Sequence, residues 1–163
     1  MSDLATRIQL SETCGDDFDM QNPMVRQAYS GFVAYQPLYH AGCLTNDDGE
    51  YCFASAISNT STPSAAYVYY MPLGVSLPAS AKPACNACLR NTMSIFALYA
   101  SDNAQPLSST YTASASRLDD SCGSQFAAEA ARASVNAATS VSRTTTGLGL
   151  SFTLLMILLH FVV

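Results

Sequence analysis

The stretch CNACLRNTMSIFALYASDNAQPLSSTYTASASRLDDSC, residues 85–122, decides the fold. From Cys85 to Tyr99, Cys88, Thr92, Ile95, Phe96 and Tyr99 recur at helical spacing, which predicts a helix with one buried face. From Pro106 to Cys122, Leu107, Tyr111, Ala115 and Leu118 form an i, i+4, i+8, i+11 stripe that stops at Gly123, a residue type that favours helix ends. Working outward, Asn22-Pro23 is a cap followed by a first-turn proline, with Val25, Tyr29, Phe32 and Val33 on one face. Pro37 should end or bend that helix. Ser2 to Cys14, with Ser2 as cap and Leu4 and Ile8 as its apolar residues, predicts a short amphipathic helix. Tyr51 to Ile57 reads equally as strand or helical turn, and Asn59 to Pro63 as loop. Tyr67 to Pro78 spreads its prolines too densely for a regular element, so an extended wrap over the core is expected there. The Ala-rich run from Gln125 to Ala133 continues as helix. The fold expected is all-α: a small disulfide-stapled helical domain with a long Pro/Tyr-rich loop and a C-terminal hydrophobic segment.

With 163 residues the chain has room for one ordinary domain. Residues 1–126 form the cysteine-rich helical ectodomain, 127–147 an Ala/Ser/Thr-rich linker and attachment region, and 148–163 a hydrophobic tail. Seven Lys plus Arg against twelve Asp plus Glu leave a net charge of −5, the wrong sign for a phosphate-tracking groove, so no nucleic acid is expected as a partner. Apolar residues make up 49% and charged residues 12%, too apolar for disorder and poorly charged for a cytosolic surface. No phosphate loop, GxSxG elbow or metal-ligand cluster is present, so the expectation is a non-enzymatic protein without a cofactor.

The tail LGLSFTLLMILLHFVV, Leu148 to Val163, carries no formal charge apart from His160. As a helix it would reach about 24 Å, short of the roughly 30 Å hydrocarbon core. No Lys or Arg follows it. A glycosylphosphatidylinositol (GPI) signal needs small residues at the cleavage site, a polar spacer and an apolar tail. Asn136-Ala137-Ala138 supplies the first, Thr139 to Gly147 the second and Leu148 onward the third. Asn136 is therefore the expected attachment site, with Ser134 and Ser140 as fallbacks. A genuine C-terminal anchor helix and a core-packing helix remain as alternatives.

Six cysteines, Cys14, Cys43, Cys52, Cys85, Cys88 and Cys122, all precede the tail, and an even count in a small secreted chain reads as a disulfide framework. Asp48-Gly49 is a turn dipeptide between Cys43 and Cys52, which makes that pair the first expected. Cys85-Asn86-Ala87-Cys88 has the spacing of redox motifs, yet the flanks lack the preceding buried strand, so two bridges to different partners are the plainer reading. Against a secreted chain, MSDLATRIQLSETC has two acids, one base and no apolar core, and is no signal peptide. Either the gene model starts at an internal methionine, which is favoured, or the tail is a post-translationally inserted anchor and the cysteines face a reducing cytosol.

Asn59-Thr60-Ser61 is a glycosylation sequon in a loop. His40, the only histidine outside the tail, sits at a helix end, where it complements the dipole rather than serving a nucleophile. Asp16, Asp17 and Asp19 resemble the start of a calcium loop without its glycine and closing glutamate, and read as solvated acids. Tyr67, Tyr69 and Tyr70 form the one aromatic cluster expected to contact carbohydrate or a partner.

The motifs also stand in a characteristic order: QNP at 21–23, QAY at 27–29, AYQPLY at 34–39, GCL at 42–44, YCFA at 51–54, YYMPLG at 69–74, CNACL at 85–89, QP at 105–106 and CG at 122–123. As a set, across roughly residues 10–126, this resembles a fungal cysteine-rich secreted domain family of unknown function, found largely in predicted GPI-anchored proteins of filamentous ascomycetes. The resemblance implies an extracellular, surface-anchored protein and supplies no catalytic residues. It also implies a signal peptide and a further cysteine-bearing stretch upstream, which this chain lacks, so the partner of Cys14 is expected in that stretch. The function expected is a non-enzymatic, GPI-anchored fungal cell-surface or cell-wall protein, with the membrane, reached through the anchor or C-terminal segment, and wall polysaccharide as its partners. The alternatives are a carbohydrate- or partner-binding surface module and a thiol oxidoreductase using Cys85 and Cys88.

Overall fold

The computed structural model describes residues 1–132. The expected sites Ser134, Asn136 and Ser140 and the tail 148–163 lie outside the described residues. The elements are α1 (Ser2–Arg7), α2 (Gly15–Asp19), α3 (Pro23–Gly42), α4 (Cys52–Ser58), a 3₁₀ segment (Pro63–Leu73), α5 (Ala87–Ala100) and α6 (Leu107–Cys122), with helix again over 126–132. Among the described residues the only β pairing is an isolated bridge between Thr45 and Tyr51, so the domain is all-α, as expected.

The centre is a helical hairpin. Asn86 caps α5 by accepting from the Leu89 N–H at 2.9 Å, and α6 follows after a six-residue connection. The Cα atoms of Cys85 and Cys122 are 5.5 Å apart, so the start of α5 meets the end of α6 and the two helices run antiparallel. Phe96, Met93, Leu107 and Leu118 are fully buried between them and the rest of the core. The buried faces keep Thr92, Phe96, Leu107 and Leu118 of the expected stripes and differ at the remaining positions. In α5 they are Leu89, Thr92, Met93 and Phe96; in α6 they are Leu107, Thr110, Ser114 and Leu118, with Tyr111 and Ala115 only partly covered.

The Pro/Tyr-rich segment lies over this hairpin, and it is regular where an extended wrap was expected. Pro63 falls in its first turn, where the missing N–H costs nothing, and Pro72 in its last, leaving the stretch between them free to form i→i+3 bonds. Gly74, at φ 88°, ends it in the left-handed region. Val68, Tyr69, Met71 and Pro72 point into the core. Three buried hydroxyls fasten the segment down. Tyr69 Oη and Thr92 Oγ1 share a hydrogen bond at 3.3 Å, Thr110 Oγ1 donates to the Met71 carbonyl at 3.0 Å, and Ser114 Oγ accepts from the Leu77 N–H at 3.0 Å.

In α3 the Asn22 cap forms, with Oδ1 accepting from the Met24 N–H at 3.1 Å, but Pro37 does not end the helix. The helix continues to Gly42 because the proline ring is fully buried, together with Ala34 and Ala41, where α3 packs on the 3₁₀ segment and α5. Val25, Tyr29, Phe32 and Val33 are only half-buried. The N-terminal helix is shorter than expected. Met1 rather than Ser2 holds the cap position, and the Thr13 hydroxyl donates to the carbonyl of Arg7, closing the chain into a turn. A Cβ at Gly15 would lie 2.8 Å from the Gln9 and Leu10 carbonyl oxygens, so this turn requires glycine. In α2, Phe18 then packs edge-on against Tyr29 of α3 at 5.0 Å, with the Arg26 guanidinium 4.5 Å from the Phe18 ring centroid.

Candidate functional site

The turn 46–50 is built by Asn46, whose Oδ1 accepts from the N–H groups of Asp48 (3.1 Å) and Glu50 (2.8 Å). The turn closes as expected, yet it does not join Cys43 to Cys52. With Thr45 opposite Tyr51, and the Cys52 N–H donating to the Leu44 carbonyl at 2.8 Å, Cys52 stands across from Leu44. Cys43 lies one residue before that pairing, as the αR cap that ends α3, and is exposed while Cys52 is buried. Cys52 bonds to Cys88, and Cys85 bonds to Cys122. Cys85 and Cys88 are thus committed to different partners and do not form a disulfide with each other, in keeping with the plainer reading of the CxxC spacing.

Cys14 and Cys43 are unpaired among the described residues. They do not reach each other. Cys14 precedes α2, which packs near Tyr29, and Cys43 caps the far end of α3, fourteen residues and about 21 Å further along the helix. A disulfide needs Cα atoms within about 7 Å.

Of the three tyrosines expected to form a contact surface, two are exposed. Tyr67 and Tyr70 are about half exposed, with ring centroids 6.4 Å apart in an edge arrangement. Tyr69 is a correction: at 7% exposure it belongs to the core, because the 3₁₀ turn sends Val68 and Tyr69 inward between the outward-facing Tyr67 and Tyr70. Burial raises its phenol pKa, an effect partly offset by the hydrogen bond to Thr92. Beside Tyr70 runs an open apolar groove of about 380 Å³ between α3, α4 and the 3₁₀ segment, lined by Leu38, Phe53, Ile57, Tyr70 and Leu73 among others.

On the other side of Tyr69 is a cavity of about 260 Å³ with a different character. Its apolar lining comes from Val68, Tyr69 and Leu89, and its polar lining from Asn46, Asp47, Ser55, Asn59 and Asn86; the Cys52–Cys88 bridge borders it. Asn59 is half-buried here, its Oδ1 accepting from the N–H groups of Ser61 and Thr62, each at 3.0 Å. The sequon therefore sits in a fixed turn at the edge of a cavity. Sequence reasoning found Asn59 and missed Asn46, Asp47 and Asn86 as its neighbours. The capping position of Asn86 before α5 was the available signal for that residue, whereas nothing local brings the 46–50 turn to it.

His40 is exposed on α3, with its ring centroid 5.8 Å from that of Tyr39 and 6.2 Å from that of Tyr99, and no nucleophile faces it among these contacts. Asp16, Asp17 and Asp19 lie on α2, where Asp17 Oδ1 accepts from Asn22 Nδ2 at 3.0 Å. No group of three or more His, Cys, Asp or Glu among the described residues is arranged to hold a metal ion. Among the same residues no helix is long and apolar enough to cross a membrane.

A protein-family model described as a domain of unknown function (DUF7729) matches residues 1–131. No curated protein and no solved structure matches the chain.

Proposed function

The chain belongs to the DUF7729 family, a domain of unknown function, and from that premise we propose that it is a non-enzymatic surface protein of a filamentous ascomycete, held at the outer face of the plasma membrane or in the cell wall by a GPI anchor. The observation that carries the reading is the pair of disulfides that staple α4, α5 and α6, a framework consistent with a secreted or extracellular protein. The anchor rests on the sequence from Asn136 to Val163, whose small triplet, polar spacer and apolar tail follow the order of an attachment signal. Asn59 carries an N-linked glycan in this reading, its Nδ2 having no partner among the described residues while its Oδ1 is held by the turn. Neither a cofactor nor nucleic acid takes part.

The test is release from fungal membranes by phosphatidylinositol-specific phospholipase C, followed by intact mass and a non-reducing peptide map. Release of a chain lacking residues 137–163, with the Cys52–Cys88 and Cys85–Cys122 peptides intact, is expected. Retention of the full tail together with alkylatable Cys52, Cys85, Cys88 and Cys122 would overturn both anchor and compartment.

A second reading is favoured by the exposure of Tyr67 and Tyr70 beside the apolar groove: a surface that contacts wall polysaccharide or a protein partner. Binding on a glycan array that is lost in the Tyr67→Ala/Tyr70→Ala double variant is the outcome it expects.

A further inference from the structure

The cavity that Asn59 borders has the chemistry of a sugar seat. Because Asn59 Oδ1 is pinned by the Ser61 and Thr62 N–H groups, the carboxamide has one orientation, and its Nδ2 has no partner among the described residues. Asn86 is in the same state, with Oδ1 committed to the Leu89 N–H and Nδ2 unpaired. The exposed Asp47 carboxylate adds an acceptor without a partner among the described residues, and Val68 and Tyr69 supply apolar lining. An N-acetylhexosamine matches this set: its C–H face and acetyl methyl suit the apolar wall, its acetyl or hydroxyl oxygens an amide donor, and its hydroxyl protons a carboxylate.

We propose that this cavity, between α4 and the start of α5, seats the first N-acetylhexosamine of the glycan on Asn59. The proposal rests on the reading of Asn59 as glycosylated. In the attachment, Nδ2 forms a bond to C1 of a diphosphate-linked saccharide donor, the C1–O bond to the diphosphate breaks, and Nδ2 gives up one proton as the diphosphate departs. A cavity this open would hold a free sugar weakly. The covalent link makes the encounter intramolecular, at an effective concentration on the order of millimolar, so a few modest contacts fill the site. The seated sugar then braces the junction where Cys52 of α4 joins Cys88 of α5.

The test uses the full chain secreted from a eukaryotic host. Intact mass first shows whether Asn59 carries a glycan; a bare Asn59 would sink the glycosylation reading and the proposal with it. Three forms are then melted: the full glycoform, the form trimmed by endoglycosidase to one N-acetylglucosamine, and Ser61→Ala, which abolishes the sequon while keeping the backbone N–H that holds the turn. The single-sugar form is expected to melt with the full glycoform and roughly 4 °C above Ser61→Ala. It should also show nuclear Overhauser contacts from the acetyl methyl to Val68 or Leu89. Ala84→Leu, which fills the cavity, and Asp47→Ala should each shrink the difference between sugared and bare chains. If the single-sugar form melts with Ser61→Ala and shows no such contacts, the seat is wrong although the glycan is present.

Discussion

Tyr111 is partly buried, and its hydroxyl has no hydrogen-bond partner among the described residues, whereas the buried hydroxyls of Thr92, Thr110 and Ser114 all have one. A buried hydroxyl without a partner loses its hydration and gains nothing. Tyr111→Phe should therefore leave stability unchanged or raise it by about 1 kcal/mol in urea unfolding, while Thr110→Val, which removes one of the two hydrogen bonds that the Met71 carbonyl accepts and leaves it the one from the Gly74 N–H, should lower it by about 1 kcal/mol. A clear loss in Tyr111→Phe would mean that the hydroxyl does find a partner. The same residue governs alkaline behaviour. Burial, and then the nearby Asp119 carboxylate, raise the Tyr111 pKa, and burial raises that of Tyr69. The folded state thus keeps protons that the unfolded chain releases near pH 10. Their contribution is intact below that pH and is lost as pH rises through the folded values. Urea midpoints should hold level from pH 8 to 9 and fall above about pH 10, with a shallower fall in Tyr111→Phe.

At the scale of the elements, α5 depends on a side chain that the sequence presents as the filler of a CxxC. Asn86 Oδ1 satisfies the Leu89 N–H, one of the four donors that a helix start leaves open. Asn86→Ala should cost about 1 kcal/mol and Asn86→Asp close to nothing, since aspartate caps equally well and complements the dipole. Equal unfolding midpoints for the Ala and Asp variants would contradict the cap. The helices α3, α5 and α6 were legible because the Asn22 cap, the apolar stripes and Gly123 are local signals. Their buried faces were legible only in part. Thr110 and Ser114 look like surface residues until the backbone of another segment arrives to bond them, and the stripe through Tyr111 and Ala115 is consequently about one residue out of phase. The same applies to Pro37 and to the 3₁₀ segment: proline's local cost predicts a break, and burial of Pro37 and Pro72 in the core outweighs it.

Across the whole molecule, the candidate site was legible at Asn59 and at Tyr67 and Tyr70, whose environments are local. It was not legible where distant segments meet. Turn chemistry at Asp48-Gly49 pointed to Cys43–Cys52, but register decides which side chains face each other, and register depends on where α3 ends and α4 begins. The bridges that form have sequence separations of 36 and 37, and their loops overlap within the turn that opens α5. Closing a loop of that length in the unfolded chain removes entropy worth about 4 kcal/mol per bridge. Set against a typical domain stability of about 5–15 kcal/mol, either bridge is a large fraction and the two together are most of it. The Cys52→Ser/Cys88→Ser variant should thus fold but unfold at much lower urea, and the variant lacking both bridges should be largely unfolded at 37 °C. Cys43→Ser, by contrast, removes an exposed thiol and should not move the midpoint. If Cys43→Ser were as damaging as Cys52→Ser/Cys88→Ser, Cys43 would be paired in the native chain and the helical staple would be wired differently.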